Sequence, residues 1–434
     1  MSTTETQSIT DTKLERIAFL SQNDSTKEFR CLMHHFNEES LKTCFYQLDG
    51  NKAVGIDRVD KKSYGHNLDD NLKKLISNMK QMSYRPAAIR QVSIPKEGKS
   101  GAFRSLGISN FEDKLVQKMM QRILESIYEP LFLDCSYGFR QGRSCHDAIK
   151  KLRHYLYTRS VQTVIDVDLE NFFGTLDHQE LVKILQMKIK DNRLIRYIIR
   201  MLKSGVMANG EMTISEEGAV QGSICSPILA NILAHYAIDQ WFEEVVKTHC
   251  KGKVKLFRYC DDLCICCEYE SDALRVKTAL AKRLTKFTLK MNEEKTKLVT
   301  FDRKSEYKTS FNFLGFTFYF GKSQTGIKIP KLKTEGKRMR SKLKKVNQWA
   351  KEVRNQYKLK TIWQKFCIKL EGHIQYYGVS FNIKRIETFL YRTVQIMFKW
   401  LNRRSQKKSF TWEKFQLFLL ANPLPRVRVC HKLF

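Results

Sequence analysis

Apolar residues recur at helical spacing from 28 to about 84, and the polar run 51–57 interrupts them. The same spacing returns over 110–128 and 145–156. Between these stretches, 91–94 reads as a short strand and 96–103 as a Gly- and Lys-rich hairpin tip. The pattern then changes. Residues 162–169 form an almost unbroken apolar run that ends in acids, which predicts a buried strand. After a loop at 218–223, Ser226 is the predicted cap and Pro227 the first position of a helix running to about 246. A hairpin is predicted over 254–268, a helix over 272–289, and strands over 297–301 and 313–320. Beyond Lys333 the chain turns helical, over 335–351, 361–377, 383–401 and 412–420. Residues 1–27 open polar and Thr-rich and are expected to be poorly ordered.

Two of the predicted strands carry acids where water would meet them. In Thr163-Val164-Ile165-Asp166-Val167-Asp168-Leu169, alternation puts Asp166 and Asp168 on one face. In Phe257-Arg258-Tyr259-Cys260-Asp261-Asp262-Leu263-Cys264-Ile265-Cys266, two adjacent carboxylates sit between β-prone runs. An Asp-Asp pair is usually a solvated turn. Here both acidic tips cap apolar strands, so the charges need a partner. A hard divalent cation such as magnesium takes carboxylate oxygens and leaves positions for water and phosphates. A third carboxylate from the other strand would complete a two-metal phosphoryl-transfer centre. On alternation alone, Asp166 and Asp168 both qualify.

Charge sharpens this picture. The formal net charge is +32. Residues 331–434 hold 26 Lys and Arg against 5 Glu, and no Asp, a local excess of +21. About two-thirds of the excess therefore sits in the last quarter of the chain, and nucleic acid is the expected partner. The composition shifts near 325–335, which suggests a domain boundary there. No run of 18 apolar residues occurs, so no membrane span is expected. No secretory signal is recognisable at the N-terminus, and the twelve cysteines are scattered. Reduced, buried thiols and a cytoplasmic location are expected.

Further motifs follow one another along the chain. They are Asn51-Lys52-Ala53-Val54-Gly55-Ile56-Asp57, Arg104-Ser105-Leu106-Gly107-Ile108-Ser109 and Tyr137-Gly138-Phe139-Arg140-Gln141-Gly142-Arg143-Ser144. Gln221-Gly222-Ser223-Ile224-Cys225-Ser226-Pro227, Tyr259-Cys260-Asp261-Asp262, Asn292-Glu293-Glu294-Lys295-Thr296-Lys297 and Phe313-Leu314-Gly315-Phe316 follow. Gly372 to Gly378 and Asn402-Arg403-Arg404-Ser405-Gln406-Lys407-Lys408 continue the series. This ordered set resembles that of group II intron-encoded reverse transcriptases, and the resemblance covers about 28–430. It implies an α+β right-hand polymerase. Fingers and palm, an antiparallel sheet plus helices, would occupy 28–325. A basic α-helical thumb, or maturase domain, would occupy 326–434.

The resemblance also implies roles. Asp168, Asp261 and Asp262 would hold two Mg2+ ions, with Mn2+ as a substitute. Asp168 is preferred to Asp166 because it stands five residues before Phe173. Phe173 would be a steric gate against the ribose 2′-hydroxyl. Lys96 (with Lys99 competing) and Arg104 would grip the triphosphate. Leu169, Gln221 and Gly222 would lie against the incoming nucleotide, and Lys295 would support phosphate charge. Tyr259, Arg140, Arg143 and Gly315 would touch primer or template. So would Lys342, Lys344, Lys345, Arg403 and Arg404 of the thumb. Most thumb aromatics, Trp349, Trp363, Tyr376, Tyr377, Trp400 and Trp412, are expected in the core.

The implied partners are an RNA template, a DNA primer, deoxynucleoside triphosphates and a structured intron RNA. The chain departs from the pattern at Cys260, where the family usually has Ala, and at Gly174, where it often has Asp. No endonuclease region is expected after the thumb. A free-standing relative in DNA repair or phage defence, or a non-enzymatic splicing factor, are the competing roles.

Overall fold

The computed structural model describes residues 3–95, 103–208, 211–213, 218, 222–304, 309–404 and 410–434. Helices α1 (Thr3–Asn23), α2 (Glu38–Gln47), α3 (Lys61–Gly65) and α4 (Leu68–Lys80) lead to the hairpin β1 (Ile89–Pro95) and β2 (Phe103–Ile108). Next come α5 (Phe111–Tyr128), α6 (Cys145–Thr158), β3 (Thr163–Asp168), α7 (His178–Lys188) and α8 (Asn192–Leu202). The short strands β4 (Val206–Ala208) and β5 (Glu211–Thr213) precede α9 (Ser226–Ala234). That helix continues through two π-helical turns, His235–Asp239 and Phe242–Val246, into α10 (Lys247–His249). The hairpin β6 (Val254–Tyr259) and β7 (Asp262–Cys267), α11 (Glu270–Thr285) and β8 (Lys297–Thr300) follow. Then come β9 (Ser310–Phe313), β10 (Phe316–Lys322), β11 (Lys328–Thr334) and the helices α12 (Gly336–Val353), α13 (Leu359–Tyr377), α14 (Ile383–Leu401) and α15 (Trp412–Ala421).

The central sheet has the order β6-β7-β3-β8, and every neighbouring pair is antiparallel. Both of its faces are covered, so its strands read as apolar runs rather than clean alternation. Ile165, Val167, Leu256, Leu263 and Ile265 join a core shared with α5, α7, α8 and α9. Val164, Phe257, Cys264 and Cys266 join a second core that runs through α6 into α12, α13 and α14. Cys264 and Cys267 have C-x-x-C spacing, yet alternation sends them to opposite cores, and all twelve thiols are free. A fingers sheet of order β2-β1-β4-β5 and a smaller sheet of order β11-β10-β9 flank the centre.

The structure corrects several expectations. Residues 3–23 are helical, because Leu14, Ile17 and Ser21 make a stripe that packs against α5. Ser21 Oγ donates to Ile127 O at 2.6 Å, and Asp11 pairs with Arg122. The single strand expected over 313–320 is broken. Leu314 and Gly315, at φ +47° and +79°, form the two-residue turn between β9 and β10. A boundary at 326 would cut the β10–β11 hairpin, so the helical region begins at Gly336. Cys225 is the cap of α9, and Ser226 opens its first turn. Among the described residues, no helix is long and apolar enough to cross a membrane.

Candidate active site

The register of the central sheet builds the site. Asp168, the last residue of β3, lies directly opposite Asp262, the first of β7. Tyr259 lies opposite Asp262 on the other side, so Tyr259, Asp262 and Asp168 form one cross-strand row. Side chains in such a row share a face, with Cβ atoms about 5 Å apart. Cys260 and Asp261 make the two-residue turn of the hairpin, and Cys260 takes φ +59° as a primed turn requires. Three carboxylates from two strands and one turn thus meet at one end of the sheet.

Their electrostatics differ. Burial pushes Asp262 up to about 7, and the neighbouring Asp261 charge adds to the effect. Burial also raises Asp261, while the Arg104 guanidinium opposes the shift. Asp168 is half exposed, and its Oδ2 accepts from Lys295 Nζ at 2.7 Å. Asp166, one row deeper, is pushed up to about 6 by burial. It faces Lys297 across the β3–β8 pair, and that charge opposes the shift. Asp166 therefore lies inside the sheet, whereas Asp168 stands at the open end of its strand.

Among the described residues, no three His, Cys, Asp or Glu side chains are already closed around a metal-sized space. Asp168 is turned onto Lys295 instead. The donor set still fits a hard divalent ion. Its members are carboxylate oxygens, two are held above their ordinary range by unbalanced burial, and the third already binds a cation. Magnesium is commonly held by one or two carboxylates while water and substrate phosphate complete its shell.

The surrounding residues divide. Phe172 is buried in the core, and Phe173 packs edge-to-face on it, half-buried at the surface. Arg104 is exposed on β2, with its charge reaching Asp261. Lys96, Lys99 and Gln221 lie outside the described residues. Gly222 takes φ +111°, and a Cβ there would stand 2.3 Å from Gly107 O. The glycine thus lets this loop close on the fingers strand. The Leu169 side chain is buried in the core.

Two arginines of the Tyr137–Ser144 motif have partners within the protein. Arg140 is buried, pairs with Glu129 at 2.7 Å and donates to Leu133 O and Ser136 O. Arg143 pairs with Asp134 at 2.7 Å and lies over Tyr137. Both brace their own loop.

On the thumb side, Gly315 lies against Arg338 and the Tyr377 hydroxyl. Lys342 stacks over Tyr377 at 4.7 Å, while Lys344 and Lys345 are exposed. Arg403 is exposed over Trp400, and Arg404 donates to Tyr357 O. Trp363, Tyr377 and Trp400 are core residues, as expected, and Trp412 is exposed. Arg338, whose charge reaches Asp262, was not singled out from the sequence. Only the packing of α12 beside the β9–β10 turn distinguishes it from the other thumb cations.

A sheet that presents carboxylates at one end, between a fingers hairpin and a basic helical subdomain, defines a right-hand nucleic-acid polymerase. Residues 94–318, just over half the chain, match the sequence model described as reverse transcriptase (RNA-dependent DNA polymerase). The chain belongs to that family, whose members use divalent metal ions. It is 34% identical over 223 residues to the group II intron-encoded protein LtrA of Lactococcus lactis subsp. cremoris, covering 51% of this chain and 37% of that protein. Protein YkfC of Escherichia coli K12 is 33% identical over 214 residues, covering 48% and 54%. An uncharacterised 91 kDa protein in a cob intron of Schizosaccharomyces pombe is 37% identical over 176 residues, covering 41% and 21%. Each alignment covers less than two-thirds of the relative's own length.

Proposed function

We propose that this chain is an RNA-directed DNA polymerase that extends a primer 3′-hydroxyl with deoxynucleotides on an RNA template. The observation that carries this is the Asp168–Asp262 cross-strand pair, with Asp261 in the adjoining turn. Asp168, Asp261 and Asp262 would hold two divalent ions, Mg2+ or its substitute Mn2+, which supply the charge that activates the hydroxyl and neutralises the leaving pyrophosphate.

The chain's own groups supply the rest. Arg104 orients the triphosphate from the fingers. Phe173 walls the sugar, so a 2′-hydroxyl meets the ring. Lys295, released from Asp168, meets phosphate charge. The exposed thumb cations Lys344, Lys345 and Arg403 follow the backbone of the RNA–DNA duplex. The likeness to an intron-encoded protein supports a second role for the same thumb, which is to hold a structured intron RNA as a maturase. The free thiols favour a reducing, cytoplasmic setting. The splicing-factor role without catalysis would leave three converging acids unexplained.

The test is primer extension on an RNA template with Asp261→Asn plus Asp262→Asn. Extension should be abolished while primer–template binding persists. Intact extension would remove the metal assignment and the polymerase reading with it.

A further inference from the structure

Arg258 is the largest fully buried side chain in the described protein. It sits one residue before Tyr259 and three before Asp261. All five of its N–H donors are used. Nε and Nη2 donate to Asp239 Oδ1 and Oδ2 at 2.7 and 2.5 Å. Nη2 also donates to Ser136 Oγ at 2.7 Å. Nη1 donates to Asn231 Oδ1 at 3.0 Å and to the carbonyl of Cys260 at 3.2 Å. The last bond reaches the turn that carries Asp261.

The same network holds the turn from a second side. Asn231 Nδ2 donates to Gly138 O at 2.7 Å, and the 135–137 backbone pairs with Arg258 through both its N–H and its carbonyl. Gly138 is pressed against Cys260, where a Cβ would stand 2.3 Å from Sγ and 2.7 Å from the backbone nitrogen. Cys260 itself is at φ +59°, a conformation that a non-glycine residue keeps only when its surroundings impose it.

Packing does not demand an ion pair here. Asp239 and Arg258 are both fully buried, and desolvation consumes much of what such a pair gains. Apolar residues would fill the space as well. Asp239 also closes a π-helical turn, His235–Asp239, within an otherwise α-helical run. Such turns are rare and concentrate at functional sites. The pair therefore needs an explanation beyond burial, and the Cys260 carbonyl provides one.

We propose that Arg258, Asp239 and Asn231 are positioning residues that fix the Cys260-Asp261 turn and so preset Asp261 and Asp262 to receive divalent ions. The inference rests on the polymerase reading above. Outer partners of metal ligands typically change ion affinity or activity by about 10- to 100-fold when removed.

The test uses the double variant Arg258→Met/Asp239→Leu, which removes both charges together and strands neither. Three readouts are compared with the wild-type chain: Mn2+ affinity by titration of the nucleic-acid-free protein, amide hydrogen exchange of the 257–263 segment without metal, and the split between kcat and KM in primer extension. The expected result is Mn2+ binding weakened roughly ten-fold, faster exchange confined to the turn, and lower kcat at unchanged KM for primer–template. Asn231→Ala, which removes no charge, should move all three readouts in the same direction by less. It decides the matter if the double variant does not fold. A folded double variant, or failing that Asn231→Ala, with wild-type ion affinity and exchange would make the network merely structural and overturn the proposal. If the wild-type chain does not extend a primer at all, the polymerase reading fails instead, and the exchange and Mn2+ data still judge the turn.

Discussion

Lys295 Nζ donates to Asp168 Oδ2 at 2.7 Å, so a protein ammonium holds the carboxylate that the resemblance assigns to a metal ion. Both groups are about half exposed, and such a pair contributes roughly 0–1 kcal/mol. The ammonium and an incoming divalent ion compete for one oxygen. Lys295→Met should therefore tighten Mn2+ binding to the nucleic-acid-free protein by about two- to five-fold, which is the upper half of that range. Extension should slow by at least about ten-fold, because phosphate charge loses a cation. A titration showing weaker Mn2+ binding would mean that Lys295 supports the ion rather than opposing it.

Phe173 is poised differently from its neighbour. Phe172 is sealed in the core, while Phe173 leans on it edge-to-face and leaves part of its ring exposed. Phe173→Val keeps an apolar wall but shortens it. Discrimination against ribonucleotides should fall by roughly 10- to 100-fold, with deoxynucleotide use little changed. Competing ribo- and deoxynucleoside triphosphates in single-nucleotide extension measure the ratio. An unchanged ratio would place the sugar wall elsewhere.

Basic residues that read alike in sequence separate in the structure, and salt titration should distinguish them. Lys344 and Lys345 are exposed on α12, whereas Arg140 is buried against Glu129. Lys344→Gln/Lys345→Gln should weaken duplex binding and reduce the log–log salt slope by about 1–2, one phosphate contact for each charge. Arg140→Gln should leave the slope unchanged and lower the melting temperature, because Glu129 loses its partner. A slope change in Arg140→Gln would mean that the loop opens on nucleic acid.

The contrast shows what a sequence carries. The central hairpin was legible because cover on both faces demands unbroken apolar strands, and the acids stood out against them. The four thumb helices were legible from spacing alone. Arg140 was not, because its partner Glu129 lies across a turn and only the fold closes that distance. Asp239 and Arg258 are 19 residues apart, and they meet because a π-helical turn and a strand register place them together. The helical stripe Leu14, Ile17 and Ser21 was hidden by the polar residues around it. Local period reaches the elements, while pairings between elements need the tertiary structure.

His373 makes the thumb sensitive to acid. It is buried on α13 and stacked on Phe389 at 3.7 Å, and neither ring nitrogen has a hydrogen-bond partner. Burial, and then the charge of Lys342, push it down to about 3. An unfolded histidine titrates near 6.5. The folded ring therefore stays neutral where the unfolded ring binds a proton. Its contribution is fully present above pH ~6.5 and is lost, at about 1.4 kcal/mol per pH unit, as pH falls toward about 3. His35 and His235, pushed down to about 4, act in the same direction. His373→Phe keeps the stacked ring and removes one of these protons. Relative to wild type, the variant should gain about 2 kcal/mol in unfolding free energy between pH 7 and pH 5. Urea unfolding at the two pH values measures this, and parallel behaviour of the two proteins would mean that His373 is hydrated or paired when folded.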